Sequence, residues 1–386
     1  MPTYPTYKLG DVAEIILGQS PESKSYNTKG EGLPFFQGKS EFTDWFPVPN
    51  KWCTEPKKIA EPLDILLSVR APVGPTNVAK EKCCIGRGLA AIRYPECYKY
   101  VLYYLRSVSK HLESKATGTT FSSISGDTIK NLPIPLPPLP TQHQIVSRIE
   151  SLFAELDKAA KHLRTAQQQL KTYRQAVLRD AFEGCKEMKT VLELSTIVTS
   201  GSRGWAKYYI DKKDARFVRI TDLTRDRIIL QSNNIQYISL PPNAEGKRSL
   251  LQPNDVLVSI TADLGSIALV PQNIGEAYIN QHIAMIRFKN TKLGKFMAYY
   301  LKSDFGQKEL LKNKRGNGKL GLGLDDIRNT YIPFVDEEEA NEIVNKIESR
   351  LSQAEAAEAS ITEALQKTET LRQSILKKAF SGELNL

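Results

Sequence analysis

The chain is written twice. RQAVLRDAFEG at 174–184 returns as RQSILKKAFSG at 372–382, 198 residues later, with six of eleven positions identical. IVSRIES at 145–151 returns as IVNKIES at 343–349, and IKNLPIP at 129–135 as IRNTYIP at 327–333, both at the same spacing. Upstream the copies stay recognisable but the spacing drifts. YVLYYLRS (100–107) pairs with FMAYYLKS (296–303) at 196, LDILLSVRAPVG (63–74) with NDVLVSITADLG (254–265) at 191, and LPFFQGK (33–39) with ARFVRIT (215–221) at 182. A constant spacing means no insertion is tolerated, and a drifting one means loops of unequal length. Each repeat therefore holds a variable portion followed by a portion of fixed length.

The fixed portions read as long helices. Ile145, Ile149, Leu152, Leu156, Ala159, Leu163, Ala166, Leu170, Tyr173 and Val177 alternate steps of four and three, the seam of a coiled coil. Its counterpart runs Ile343, Ile347, Arg350, Ala354, Ala357, Ile361, Ala364, Thr368, Leu371 and Ile375, with Leu351 able to cover for Arg350. Thr141 with Gln144 and Asp336 with Glu339 have capping-box spacing, and Gly184 and Gly382 sit where a helix end favours a left-handed residue. PIPLPPLP (133–140) is expected to be an extended strut. Each helix is about 40 residues, or about 60 Å. Antiparallel packing of the two copies is the economical way to bury both stripes; separate pairing with other chains is the alternative.

The variable portions alternate short apolar strands, such as LDILLSV (63–69), IGRGLAAIR (85–93), NDVLVSI (254–260) and INQHIAMIRF (279–288), with helices near 99–112 and 293–312. They lack a βαβα rhythm, so a curved, mostly β domain with one or two helices is expected.

Fifty-three Lys and Arg against 43 Asp and Glu give a net charge of +10. Two diverged domains on a spacer, with that charge, suit a long acidic object, and duplex DNA is the plain candidate. In the first domain Gln19, Ser20, Lys24, Tyr26, Asn27, Gln37, Lys39, Arg70, Arg87, Thr119, Thr120 and Ser122 carry suitable chemistry. In the second, Ser202, Arg203, Lys207, Arg219, Thr221, Gln281, His282, Lys314, Arg315, Asn317 and Lys319 do. Gln and Asn pair with adenine edges, Arg and Lys with guanine, and the remainder suit phosphates. Gln37 aligns with Arg219 and Arg87 with Gln281, as two readers of different half-sites would require.

Signatures of catalysis are missing. There is no Walker loop and no adenine-methyltransferase tetrad. GNGKLG at 316–321 matches a dinucleotide fingerprint only in letters, since it follows a basic helix end. Asp64 and Asp255 each follow a proline by two residues, as in some nucleases, but no Glu-x-Lys lies nearby, and both read better as turn residues. Five unpatterned cysteines and four scattered histidines suggest neither a disulfide framework nor a metal site. No stretch has the length and apolarity of a membrane span, and no signal peptide is evident, so a cytoplasmic protein is expected.

GQSP (18–21) with GLPFFQG (32–38), ISGDTIKNLPIPLPPLPTQHQIVSRI (124–149) and the helix ends LRDAFEG and LKKAFSG together resemble the specificity subunit of type I restriction–modification systems. That family usually has a Glu-Gln pair after its proline run; here Thr141-Gln142 stands there, and the second copy has Glu339-Ala340 and no strut. The resemblance implies a mixed α/β chain with a pseudo-two-fold internal repeat. Two globular target-recognition domains (1–140 and 185–335) would be joined by two long antiparallel coiled-coil helices (141–184 and 336–386). It implies a non-catalytic subunit that reads bipartite double-stranded DNA, one domain per half-site, with the helical rod setting the gap. Its partners would be two modification subunits and the restriction subunits. S-adenosylmethionine, ATP and magnesium would belong to those partners, with no cofactor on this chain. A coiled-coil scaffold without DNA, or a self-sufficient nuclease or methyltransferase, are the competing readings.

Overall fold

Ile65–Ser68 and Val256–Ser259 are buried at every position, which is why both read as unbroken apolar runs: each is an inner strand, covered on both faces. The computed structural model describes residues 4–117, 122–211, 214–231, 234–241, 247–312 and 321–385. It divides into two compact units, 1–163 with 362–386, and 164–361.

In the first unit, a four-stranded antiparallel sheet runs in the order Glu14–Leu17, Leu89–Arg93, Ile65–Ser68, Thr76–Val78. A second sheet runs Tyr26–Asn27, Trp52–Cys53, Leu33–Phe36, Cys83–Ile85, Ile59–Ala60, with Leu33–Phe36 parallel to Cys83–Ile85. In the second unit the corresponding sheets are Ser195–Ser200, Ile283–Phe288, Val256–Ser259, Ile267–Leu269 and Tyr209–Ile210, Gln236–Ile238, Ala215–Val218, Ala277–Ile279, again with one parallel pair. Strand order and the parallel pairing repeat, so the copies share one topology. The expected strands 85–93 and 279–288 are each two strands, because the chain bends between the sheets at Gly86–Gly88 and Asn280–His282. The expected helices 99–112 and 293–312 are also split, at Val108 and at Ser303, whose hydroxyl caps the second piece.

The first long helix spans Leu139–Phe182 and the second Glu337–Ser381. The first begins inside the expected strut. Proline is tolerated in an opening turn, and the Pro138 carbonyl already accepts the Thr141 and Gln142 N–H groups. A Thr141–Gln144 box therefore does not form. Gln142 acts instead, its amide donating to the Pro137 carbonyl at 2.9 Å and accepting from the Tyr94 hydroxyl at 3.2 Å. At the second start, Asp336 Oδ1 accepts the Glu339 N–H at 2.8 Å. Gly382 is left-handed at φ 77°, with the Glu383 N–H on the Lys378 carbonyl at 2.9 Å; Gly184 is not left-handed.

Ile145, Ile149 and Ile347 are fully buried, and Leu152, Leu156, Leu163, Leu170, Ile343, Ile361 and Ile375 partly so. Tyr173 and Leu371, by contrast, are 41% and 50% exposed, and Ala159 and Ala357 also face out. The α-helix turns in 3.6 residues rather than 3.5, so the buried stripe drifts onto Ala160, Leu178, Leu376 and Ala379. In the second unit Asp180 faces Arg350 at 3.7 Å and Arg174 faces Glu358 at 2.8 Å, which makes the two helical segments there antiparallel. In the first unit Arg372 pairs with Asp157 and covers the Phe153 ring at 4.8 Å.

The compact units divide each helix near its middle instead of setting helices apart from domains. The end of each helix closes the core of a unit. Phe182 packs edge-on against Phe296 and Tyr300 at 5.3 and 5.4 Å, and Phe380 repeats this against Tyr100 and Tyr104 at 5.2 and 5.3 Å. That shared socket explains why the helix ends are the most alike segments of the two copies.

Candidate nucleic-acid interface

The bends between sheets build the site. In the first unit the chain leaves one sheet at Ile85, turns through Gly86-Arg87-Gly88 and enters the other at Leu89. The Gly86 N–H donates to the Phe36 carbonyl (2.8 Å), Val69 N–H to Gly88 (2.9 Å), Gln19 N–H to Ile85 (3.1 Å), and Arg87 N–H to Ser20 Oγ (3.3 Å). The approach is close enough that a Cβ on Gly88 would lie 2.2 Å from the Gln37 carbonyl oxygen. Gln19, Ser20, Gln37 and Arg87 are thereby brought together, with Gln19, Gln37 and Arg87 exposed. Ser122 joins from the other side, its carbonyl accepting from Ala71 at 3.0 Å beside exposed Arg70, whose backbone bridges Ser123.

Tyr26 stands at the edge of this group, stacked on Phe35 at 4.7 Å with its hydroxyl on the Pro21 carbonyl at 2.8 Å. Burial pushes its phenol up, while nearby Arg87 and Ser20 oppose the rise. Asn27 is committed to its own loop: its amide accepts from Lys29 and Glu31 and donates to the Glu31 carbonyl. Lys24 is exposed and paired with Glu22 at 3.0 Å; Lys39 is exposed after Gly38.

The second unit repeats the bend at Asn280-Gln281-His282. The Asn280 N–H donates to the Val218 carbonyl (3.1 Å), the Ile260 N–H to His282 (2.9 Å), and Ser202 bridges Asn280. Phe36 and Val218 thus hold the same station, which puts Gln37 opposite Arg219 and Arg87 opposite Gln281, as the sequence alignment has it. His282 Nδ1 lies 2.6 Å from Thr261 Oγ1, and its Nε2 lies 2.9 Å from the Gln281 amide nitrogen. The His282 ring is thus held between the Thr261 hydroxyl and the Gln281 amide.

Arg219 is half-buried and spends one guanidinium nitrogen on the Asn234 carbonyl at 2.8 Å, while its N–H donates to Asp222. Burial raises the Asp222 carboxyl. Arg219 is therefore tied to its own loop rather than displayed like Arg87. Arg203 and Lys207 are exposed, the latter 5.0 Å from the Tyr208 ring, and Thr221 is exposed beside Asp222. Thr119, Thr120, Lys314, Arg315, Asn317 and Lys319 lie outside the described residues.

Thr261 and Asn280 are further members of these bends, beyond the candidates that residue type alone suggests. The pairing of 63–74 with 254–265 already sets Thr261 opposite Arg70, and that was the available signal. Among the described residues no cluster of three His, Cys, Asp or Glu side chains could hold a metal, and no helix is long and apolar enough to cross a membrane. The described Cys residues are all free thiols. Asp64 and Asp255 serve turns and ion pairs: Asp64 accepts from the Glu61 N–H at 2.8 Å and Asp255 from the Gln252 N–H at 2.7 Å, and each holds an arginine. The arrangement offers hydrogen-bonding side chains on two equivalent loop clusters.

The family model for the type I restriction modification DNA specificity domain matches residues 1–164 and 187–367. The EcoBI type I restriction enzyme specificity subunit of Escherichia coli is 25% identical over 97% of this chain and 85% of its own length. A Methanocaldococcus jannaschii protein described as the MjaX type I restriction enzyme specificity subunit is 44% identical over 142 residues, 36% of this chain and 33% of that relative. The chain thus spans a third of one relative and most of the other. Among solved structures, a chain from a type I R-M system aligns over 100% of this chain and 99% of its own, at TM-score 0.75 and 20% identity. The HsdS subunit from Thermoanaerobacter tengcongensis aligns over 99% and 98%, at TM-score 0.57 and 19% identity.

Proposed function

The chain belongs to the type I restriction–modification DNA specificity family, and on that premise we propose that its two bends each read one half of a bipartite double-stranded target. The observation that carries this is the substitution pattern at equivalent stations: Arg87 against Gln281 and Arg70 against Thr261. One backbone frame presents different donors and acceptors in each repeat, which is what different half-sites demand. Gln281 suits an adenine edge. Arg70 and Arg87 suit guanine edges, and Arg203, Lys207 and Lys39 suit phosphates.

The long helices act as the spacer that sets the gap between half-sites. The chain is non-catalytic by itself, and its DNA is modified and cut by modification and restriction subunits, which bring S-adenosylmethionine, ATP and magnesium. Two modification subunits per chain fit the doubled architecture, and the cytoplasm is the place of work. Support comes from the family match over residues 1–164 and 187–367.

The test is to map methylated adenines in cells carrying this chain with its modification partner, before and after removal of one heptad from 145–177 and the matching one from 343–375. The gap should change while both half-sites stay the same. Altered half-site bases would end the spacer reading, and methylation by the chain alone would end the non-catalytic one.

A further inference from the structure

Trp45 in the first unit is an indole in a cage. Its ring centroid lies 6.3 Å from that of Tyr103, with Lys99 Nζ at 5.8 Å and the Arg106 guanidinium at 5.3 Å. Its carbonyl accepts the Val78 N–H at 3.0 Å. In the second unit the Leu269 N–H, at the position equivalent to Val78, donates to Ile228 at 2.7 Å. Ile228 therefore takes the station of Trp45, and Tyr299 and Lys302 take those of Tyr103 and Arg106. A smaller side chain stands where the other copy has two fused rings, and beside it is a cavity of about 260 Å³ lined by Arg174, Gln175, Ile228, Tyr299, Lys302 and Leu351, among others.

Two features say what would fill it. Gln175 Oε1 is buried there and accepts no hydrogen bond among the described residues, an acceptor awaiting a donor. Most of the charges around the cavity are already paired: Arg174 with Glu358 at 2.8 Å, Arg227 with Glu355 at 3.6 Å, Glu348 with Lys295 at 2.9 Å, while Asp226 is solvent-exposed and its charge acts on Lys302. Lys302 Nζ rests on the Thr224 carbonyl at 3.0 Å. A charged ligand would leave one of these pairs broken, whereas a neutral aromatic face suits arginine and lysine neighbours without disturbing them. A dry cavity of about 150 Å³ takes a benzene ring, and the larger volume here suits a fused two-ring group.

We propose that the cavity is a binding site for a planar, neutral, indole-sized aromatic group whose ring N–H donates to Gln175 Oε1. The group comes either as a free small molecule or as the side chain of a partner protein. Titrating the full-length chain with indole should give saturable binding of one molecule per chain and a raised melting temperature. Ile228→Trp, which restores the first unit's solution, should abolish it. Gln175→Leu should erase a preference of about tenfold for indole over 1-methylindole, the worth of one net hydrogen bond. N-acetyltryptophanamide separates the sources, since it binds beside indole if a partner's side chain is the occupant and is excluded if only a free ring enters. Absence of saturable binding of both probes, or undiminished indole binding by Ile228→Trp, overturns the proposal. If Ile228→Trp does not fold, loss or persistence of the tenfold preference in Gln175→Leu decides.

Discussion

Arg287 closes two hydrogen bonds on Asp255, Nε to Oδ1 at 2.8 Å and Nη2 to Oδ2 at 2.7 Å, across the central strands of its sheet. Arg93 makes the same fork on Asp64 at 2.9 and 2.8 Å. Both carboxylates also hold the turn that starts their strand, where Leu63 and Asn254 take φ values of 71° and 70°. The pair that resembles part of a nuclease motif is thus a brace repeated in both domains. Asp255→Asn would leave a nearly buried guanidinium without its counter-charge, at a cost of about 3–5 kcal/mol. Chemical unfolding should report that loss. Partner-dependent methylation should survive wherever the variant remains folded, whereas a catalytic Asp255 would lose activity with stability unchanged.

Readout should divide by residue. Gln281→Ala should relax one half-site by about 1–3 kcal/mol and leave the other alone, and Arg87→Ala should do the converse. Arg203→Ala should weaken all sequences alike and reduce the salt slope of binding by about one. Binding measured on a panel of half-site variants at several salt concentrations checks all three.

The aromatic sockets predict unit-specific damage. Phe182→Ala removes a ring only 3% exposed and should cost about 3–5 kcal/mol. Phe380→Ala, in a less buried position, should cost less. Amide exchange should speed up mainly in 164–361 for the first variant and mainly in 1–163 with 362–386 for the second. Equal loss across both units in each variant would mean that the sockets are not local.

Lys302 gives a pH signature. Burial is the main cause that lowers its ammonium from an ordinary 10.5 to about 8, with Asp226 and Asp263 opposing and Arg225 assisting. Between those values the unfolded chain binds the proton and the folded one does not, so stability from this residue rises with pH from about 8 to about 10.5. The full effect is on the order of 3 kcal/mol. Lys302→Met should flatten that rise relative to the unmodified chain and be the more stable of the two at pH 7. Parallel melting curves across this pH range test it.

The sequence determined the duplication, the two long helices and the stations of the readers, because a fixed spacing of 198 and a buried stripe near heptad period are properties of the chain itself. Even the pairings of Gln37 with Arg219 and Arg87 with Gln281 were legible from aligned strands. The tertiary structure alone decided what those stations can do. The bends at Gly86–Gly88 and Asn280–His282 look like strand interior in an apolar run, since a switch between sheets leaves no periodic mark. Asn27 and Arg219 have the chemistry of readers but are held by their own loops, which only the hydrogen-bond partners reveal. Helical drift carried Leu371 outward and put Phe182 and Phe380 into cores, because burial follows the geometry of packing at 3.6 residues per turn and not the letters of the repeat. The cavity beside Ile228 lies further still from the sequence, since it exists only as the difference between two copies folded the same way.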